Sequence, residues 1–130
     1  MMGTAPTVEQ LTKPEGRLPM KKAKRASIDE EVFERQVLIC KAFANSTRLQ
    51  ILQLLGVRDW SAGELQEELG ISKANLSQHV TVMKTAGVIV RRRRGKQVYF
   101  SLAMPEVKQA CQLIRSVLRH QVQNGKRFFA

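Results

Sequence analysis

The chain has 130 residues, 43% of them hydrophobic, and a formal net charge of +11 from 22 Lys/Arg against 11 Asp/Glu. That leaves room for one modest domain, which mutual burial across a dimer would help, and it implies an anionic partner without choosing among DNA, RNA and membrane. Two distant cysteines without a CxxC exclude a disulfide framework, no apolar stretch is long enough to span a bilayer, and the first residues lack an apolar signal core, so a reducing, cytoplasmic location is expected.

The charge is unevenly placed. Residues 1–26 hold six bases and two acids, residues 27–60 four and five, residues 61–87 two and three, residues 88–100 five and none, and residues 101–130 five and one. Positive charge therefore gathers in the N-terminal tail, in one short central stretch and toward the C-terminus.

In chain order, residues 1–26 are interrupted by Pro6, Pro14 and Pro19 and end on Lys21-Lys22-Ala23-Lys24-Arg25. They read as a flexible basic tail whose charge either solubilises the chain or adds phosphate contacts. Ser27-Ile28-Asp29-Glu30 is a capping box, predicted to open a helix with Val32, Phe33, Val37, Cys40, Phe43 and Ala44 on a broad apolar face. Asn45-Ser46 breaks that helix. A second helix, residues 47–55, carries Leu49, Ile51, Leu52, Leu54 and Leu55, is apolar on more than one side and belongs at the centre of the core, with Gly56 capping it. Residues 57–60 connect onward with room for a short strand. Ser61-Ala62-Gly63-Glu64 is a second capping box, opening a helix anchored by Leu65 and Leu69 with Glu67 and Glu68 toward solvent. Leu69-Gly70-Ile71 then turns the chain and Ser72 caps the next helix, giving a helix-turn-helix.

Residues 71–102 combine two periods. Leu76, Val80 and Met83 form one apolar stripe, leaving Lys73, Asn75, Ser77, Gln78, Thr81 and Lys84 on a polar face, and Gly87 stands where a terminating glycine is expected. Val88-Ile89-Val90 runs into Arg91-Arg92-Arg93-Arg94-Gly95-Lys96, and a second strand follows in which Val98, Phe100 and Leu102 alternate with Gln97, Tyr99 and Ser101. A helix leading into a β-ribbon with five positive charges at its tip is a nucleic-acid-binding shape. With no acid within residues 88–100, no acidic residue is expected to compensate the run, and Trp60 and Tyr99 make no stacking platform for single strands. The last helix, residues 104–124, has Pro105 and Glu106 in its first turn and Val107, Cys111, Ile114, Val117 or Leu118, and Val122 at helical spacing; the first helix, a second subunit or both must cover that stripe. A short tail, residues 125–130, ends the chain. The predicted architecture is mainly α with a small β-ribbon, its domain spanning residues 27–124. Nothing converges as a nucleophile, base or metal set, which argues against an enzyme.

The stretch Phe43-Ala44-Asn45-Ser46-Thr47-Arg48-Leu49-Gln50-Ile51-Leu52 resembles the AL(A/G)(N/D)xTRLxIL segment of ArsR/SmtB-type winged helix-turn-helix regulators. Glu64-Leu65, Leu76-Ser77-Gln78-His79-Val80, Met83, Ala86-Gly87-Val88-Ile89 and Tyr99-Phe100-Ser101-Leu102 continue the likeness in order, over residues 27–121. The resemblance implies a homodimer joined through the first and last helices, bound to an inverted-repeat operator in double-stranded DNA as a repressor that an inducer releases. An architectural or weakly specific DNA-binding protein, or an activator, is the alternative.

Carried onto this chain, the resemblance makes Lys73, Asn75, Ser77, Gln78 and Thr81 the candidates for the major groove. Asn75 and Gln78 suit adenine, Ser77 a base or a phosphate, Lys73 phosphate, and Thr81 a thymine methyl or the backbone. His79 is expected either to reach phosphate or to hydrogen-bond across the domain. Arg91, Arg92, Arg93, Arg94 and Lys96 form the wing, and because strand residues alternate, two of the arginines are expected on one face. The metal sites of the family are not matched. Glu64-Leu65-Gln66-Glu67 carries no thiolate, and of the last-helix positions Met104, Glu106, Val117 and His120 only two could ligate, so no metal or other cofactor is expected. Cys40 and Cys111 read either as small core residues or as a thiol sensor for a thiol-reactive species, arsenic or haem, although the cysteines of the family's persulfide sensors fall instead near Gln53 and Arg119 or His120.

Overall fold

The computed structural model describes residues 20–125. The expected basic tail up to residue 19, and residues 126–130, lie outside that range. Contacts divide the chain into two units, Met1–Glu34 and Arg35–Ala130. The described part of the first unit is one helical segment, on which Val32 and Phe33 are exposed.

Helix α1 spans Met20–Phe43, so it begins ahead of the expected capping box. Ser27 lies inside the helix rather than at its start, and the tail boundary after residue 26 does not coincide with a helix end. The physical reason is propensity: Met, Lys, Ala and Arg, the whole of residues 20–26, are among the strongest helix formers, and a continuing helix overrides an internal serine.

The second unit holds the core. Helix α2, Ser46–Leu55, is capped by Asn45, whose side-chain oxygen accepts from the Arg48 backbone N–H at 3.0 Å. Its Ile51, Leu52 and Leu55 are buried, as the many-sided apolar pattern requires. Strand β1, Trp60–Ser61, leads into α3, Ala62–Leu69. Ser61 Oγ accepts from the Glu64 N–H at 3.1 Å and Glu64 Oε1 accepts from the Ser61 N–H at 2.9 Å, completing the second capping box. The Ser61 N–H and then Arg58 hold the Glu64 carboxyl below the usual carboxylate range.

Gly70, at φ 64°, turns the chain into α4, Lys73–Thr85, where Ser72 Oγ accepts from the Asn75 N–H at 3.0 Å. At the far end the Gly87 N–H bonds the Lys84 carbonyl at 2.9 Å and the Val88 N–H the Met83 carbonyl at 3.1 Å, with Gly87 at φ 77°. That is a Schellman termination, which aims the chain directly into β2.

Strands β2, Ile89–Arg94, and β3, Gln97–Leu102, pair antiparallel with Arg91 opposite Phe100 and Arg94 opposite Gln97, and β1 joins the other edge of β3. Helix α5, Pro105–Gln123, closes the unit. Ile51, Leu52, Leu65 and Met83 are the largest fully buried side chains, each worth about 1.5–3 kcal/mol of burial, and they tie α2, α3 and α4 together. The α4 stripe of Leu76, Val80 and Met83 is buried as expected, which fixes the opposite face outward.

One expectation is corrected here. Ser101, assigned to the polar outer side of β3, is buried, and its Oγ accepts from Arg92 Nε at 3.2 Å. On α5 only Val107 is buried and Cys111 half-buried, while Leu113, Ile114, Val117, Leu118 and Val122 are exposed.

Candidate nucleic-acid interface

The outer face of α4 exposes Lys73, Ala74, Asn75, Ser77, Gln78, Thr81 and Lys84, and residues 71–87 contain no acid. The side-chain amides of Asn75 and Gln78 have no hydrogen-bond partner among the described residues, so both keep a donor and an acceptor for an external group. Thr81 differs: its hydroxyl donates to the Ser77 carbonyl at 2.9 Å, leaving the methyl as its available part. Ala74 was missed by sequence reasoning because it carries no polar group, yet it sits among the exposed residues of the first turn.

His79 stands apart from this face. It is half-buried, and Arg48 Nη1 lies 3.2 Å from its Nδ1. An arginine only donates, so Nδ1 accepts and the imidazole proton resides on Nε2. Burial, and secondarily the Arg48 charge, push the His79 pKa down, which keeps the ring neutral. The same guanidinium donates from Nη2 to the Lys41 carbonyl at 2.7 Å and from Nε to the Ala42 carbonyl at 3.3 Å. Arg48 was part of the family-like segment, but nothing in the sequence marked it as a partner of His79, thirty-one positions away.

The charged ribbon splits into two sets. Arg92 bonds Ser101, and Arg94 Nη2 lies 2.6 Å from Asp59 Oδ2 with its guanidinium 4.9 Å from the centre of the Tyr99 ring. Arg93 makes only a local bond, from Nε to the Gly95 carbonyl at 3.3 Å. Arg91 and Lys96 have no side-chain partner among the described residues. The expectation that no acid compensates the run is therefore corrected: Asp59 does so from outside residues 88–100, a match that only the β1–β3 pairing reveals. At the root of the ribbon, Arg58 lies 3.8 Å over the Trp60 ring and 3.3 Å from Glu64. Arginines thus lie over both aromatic faces.

Away from this surface, an apolar groove of about 510 Å³ lies between α2 and α5, lined by Leu49, Leu52, Val57, Cys111 and Leu118 with Lys108 and Arg115 at its edge. Burial raises the Cys111 thiol pKa and Arg115 opposes the rise, so this thiol is a reluctant thiolate. Cys40, on α1, is exposed. Glu106 and His120 are fourteen positions apart on α5, about 21 Å along a helix axis, too far to share an ion within one chain. Among the described residues no group of three or more His, Cys, Asp or Glu could hold a metal ion, and no helix is long and apolar enough to cross a membrane.

Known proteins resemble this chain in sequence and in fold. Residues 43–92 match the helix-turn-helix domain family. The uncharacterized HTH-type transcriptional regulator Rv0081 of Mycobacterium tuberculosis is 36% identical over 90 residues, covering 68% of this chain and 79% of that protein. Its crystal structure superposes with a TM-score of 0.67 at 33% identity over 72% of this chain and 94% of that one. The transcriptional activator HlyU of Vibrio cholerae is 36% identical over 85 residues, 65% of this chain and 79% of that protein. A homodimeric winged helix-turn-helix domain from Mycobacterium bovis, described as a possible ArsR-family regulator, has the same fold at a TM-score of 0.70 and 24% identity, over 74% of this chain and 89% of that one. The chain belongs to the winged helix-turn-helix transcriptional regulators, with α3–α4 as the helix-turn-helix and β2–β3 as the wing.

Proposed function

We propose that the chain is a homodimeric repressor of ArsR/SmtB type that binds an inverted-repeat operator in double-stranded DNA in the cytoplasm and is released by a signal other than the family's metal ions. The observation that carries this reading is the acid-free outer face of α4, with the free amides of Asn75 and Gln78, running through a tight Gly87 turn into a ribbon on which Arg91, Arg93 and Lys96 remain free of acidic partners. In the proposed complex α4 enters the major groove. Asn75 and Gln78 read adenines, Ser77 a base or phosphate, and the Thr81 methyl a thymine, while Lys73 and His79 meet phosphates. Arg91, Arg93 and Lys96 follow the backbone or a narrow minor groove, and Arg92 and Arg94 hold the wing in shape through Ser101 and Asp59.

Exposed apolar side chains on α5, and Val37, Leu38 and Ile39 on α1, support dimerisation through the first and last helices. A two-fold protein asks for a two-fold operator. Cys40 and Cys111 are the proposed thiol sensors, with Cys40 the more accessible and Cys111 the poorer nucleophile.

A salt titration with a duplex recovered by selection from a random library, set against a scrambled duplex, tests the DNA reading. Selective binding that persists at physiological salt is expected, whereas equal affinity for both would leave an architectural binder. Sedimentation of the free protein should give twice the chain mass. The kinship with HlyU, an activator, favours one second reading. A reporter that rises rather than falls when the chain is expressed would establish it.

A further inference from the structure

Among the described residues, Arg48 is the one side chain that bonds both the end of α1 and the flank of α4. Its Nη2 and Nε donate to the carbonyls of Lys41, which also accepts from the Ala44 N–H, and Ala42, in the last turn of α1, where the helix dipole favours a cation. Its Nη1 donates to His79 Nδ1. Its own backbone N–H is held by Asn45, so the guanidinium is anchored at its root as well as at its tip. His79 lies one helical turn beyond Asn75 on α4, beside the buried stripe, and its Nε2 has no partner among the described residues.

We propose that Arg48 is a positioning residue of the DNA-binding surface: by engaging the last carbonyls of α1 and His79 Nδ1 together, it fixes the imidazole as its Nε2–H tautomer and sets α4 relative to the end of α1, so that His79 offers one uncharged donor to a phosphate oxygen. The inference rests on the DNA-binding reading and deepens it. It makes a specific chemical distinction from the lysines and wing arginines. A neutral donor contributes a directional bond but displaces no counterion, so its loss lowers affinity without changing the salt dependence. It also makes the hold on α4 independent of the α4 side chains that face outward, since Arg48 reaches α4 from α2.

The test has two arms, both on the full chain. In the first, long-range ¹⁵N–¹H correlation spectra of the imidazoles report the tautomer of His79; with only two histidines in the chain, His120→Gln assigns the signals. The expected result is a protonated Nε2 and an unprotonated Nδ1 in the wild type, with that single-tautomer pattern lost in Arg48→Gln. A protonated Nδ1 in the wild type overturns the proposal.

In the second arm, binding to a fluorescent duplex recovered by selection is measured across a salt series. Arg48→Gln and His79→Asn are each expected to weaken binding roughly tenfold with an unchanged salt slope, the former by losing the clamp and the latter by keeping an acceptor near Nδ1 but losing the Nε2 donor. Their combination should lose less than the product of the two effects, because both act through one bond chain. Arg48→Lys, which keeps the charge but not the three-way reach, should fall between wild type and Arg48→Gln and carries the same test if Arg48→Gln does not fold. Undiminished affinity in folded Arg48 variants overturns the proposal while leaving the DNA reading intact. A wild type that retards no duplex overturns both.

Discussion

Asp59 places a carboxylate oxygen 2.6 Å from the Arg94 guanidinium, joining the connection before β1 to the tip of β2 across thirty-five positions of sequence. The pair is partly exposed, with side-chain accessibilities of 28% and 57%, so its contribution to stability is small, about 1 kcal/mol or less. Its consequence is geometric and electrostatic. Together with the Arg92–Ser101 bond it takes two arginines out of a run of four and leaves the alternate pair, Arg91 and Arg93, pointing the other way.

The wing should therefore respond unequally to alanine. Arg91→Ala and Arg93→Ala are expected to weaken binding to all duplexes alike, each lowering the slope of log affinity against log salt by about 0.9, the signature of one lost phosphate contact. Arg94→Ala should change that slope by clearly less. Asp59→Ala should raise affinity for unselected DNA and steepen the slope, because it frees a cation. Fluorescence anisotropy across a salt series reads all four. Equal slope changes for the three arginines would contradict the division.

For α4 the expected pattern is the opposite. Asn75→Ala and Gln78→Ala should each lose about 1–3 kcal/mol of discrimination against a substituted base pair while leaving affinity for unselected DNA nearly unchanged. Thr81→Val keeps the methyl and removes a hydroxyl that already bonds the Ser77 carbonyl, so its affinity should stay close to wild type. Selection from a random duplex pool with each variant measures the change directly.

Most of the second unit was legible from local chemistry. Ser61 with Glu64, Ser72 before Lys73, and Gly87 after α4 each mark a helix end through a bond made within a few residues, and such bonds depend on sequence neighbours alone. The burial of Leu76, Val80 and Met83 followed from their spacing. What escaped was long-range. Arg48 with His79, and Arg94 with Asp59, are pairs whose partners are set by tertiary approach, which no local period encodes. Ser101 was placed outward because alternation cannot see that α2 and α5 both pack against β3. The start of α1 was misplaced because a good cap motif was weighed above seven preceding residues of high helix propensity.

Stability should depend on pH through His79. Its folded pKa lies below the ordinary value of 6.5, so between the two values the unfolded chain binds more protons than the folded one. The contribution of the neutral ring is fully present above the ordinary value and is lost as pH falls through the depressed one. The denaturation midpoint should therefore decline on acidification below about pH 6.5, and decline less in His79→Gln, which cannot titrate. Glu64, whose folded pKa is lowered from 4.5, acts in the same direction in a separate and more acidic window, so a Glu64→Gln control distinguishes the two.

Two glycines should respond to alanine with opposite signs. Gly87 sits at φ 77° with open space, nothing within 4 Å, where an alanine methyl would stand, so Gly87→Ala meets no clash and its cost is conformational alone. A left-handed L-residue costs about 1–2 kcal/mol, and the Schellman bonds to Lys84 and Met83 leave the backbone no cheaper conformation. Gly63, in the first turn of α3, also has open space around it, but its backbone is helical. There alanine reduces the freedom of the unfolded chain and suits the helix, so Gly63→Ala should stabilise by about 0.4–1 kcal/mol. Urea unfolding of both variants beside the wild type measures the difference. Because Gly87 joins α4 to β2 directly, Gly87→Ala should also weaken DNA binding more than its loss of stability explains, by disturbing the angle between helix and wing. Gly63→Ala should leave binding unchanged, which separates a general effect of stability from a local effect of geometry.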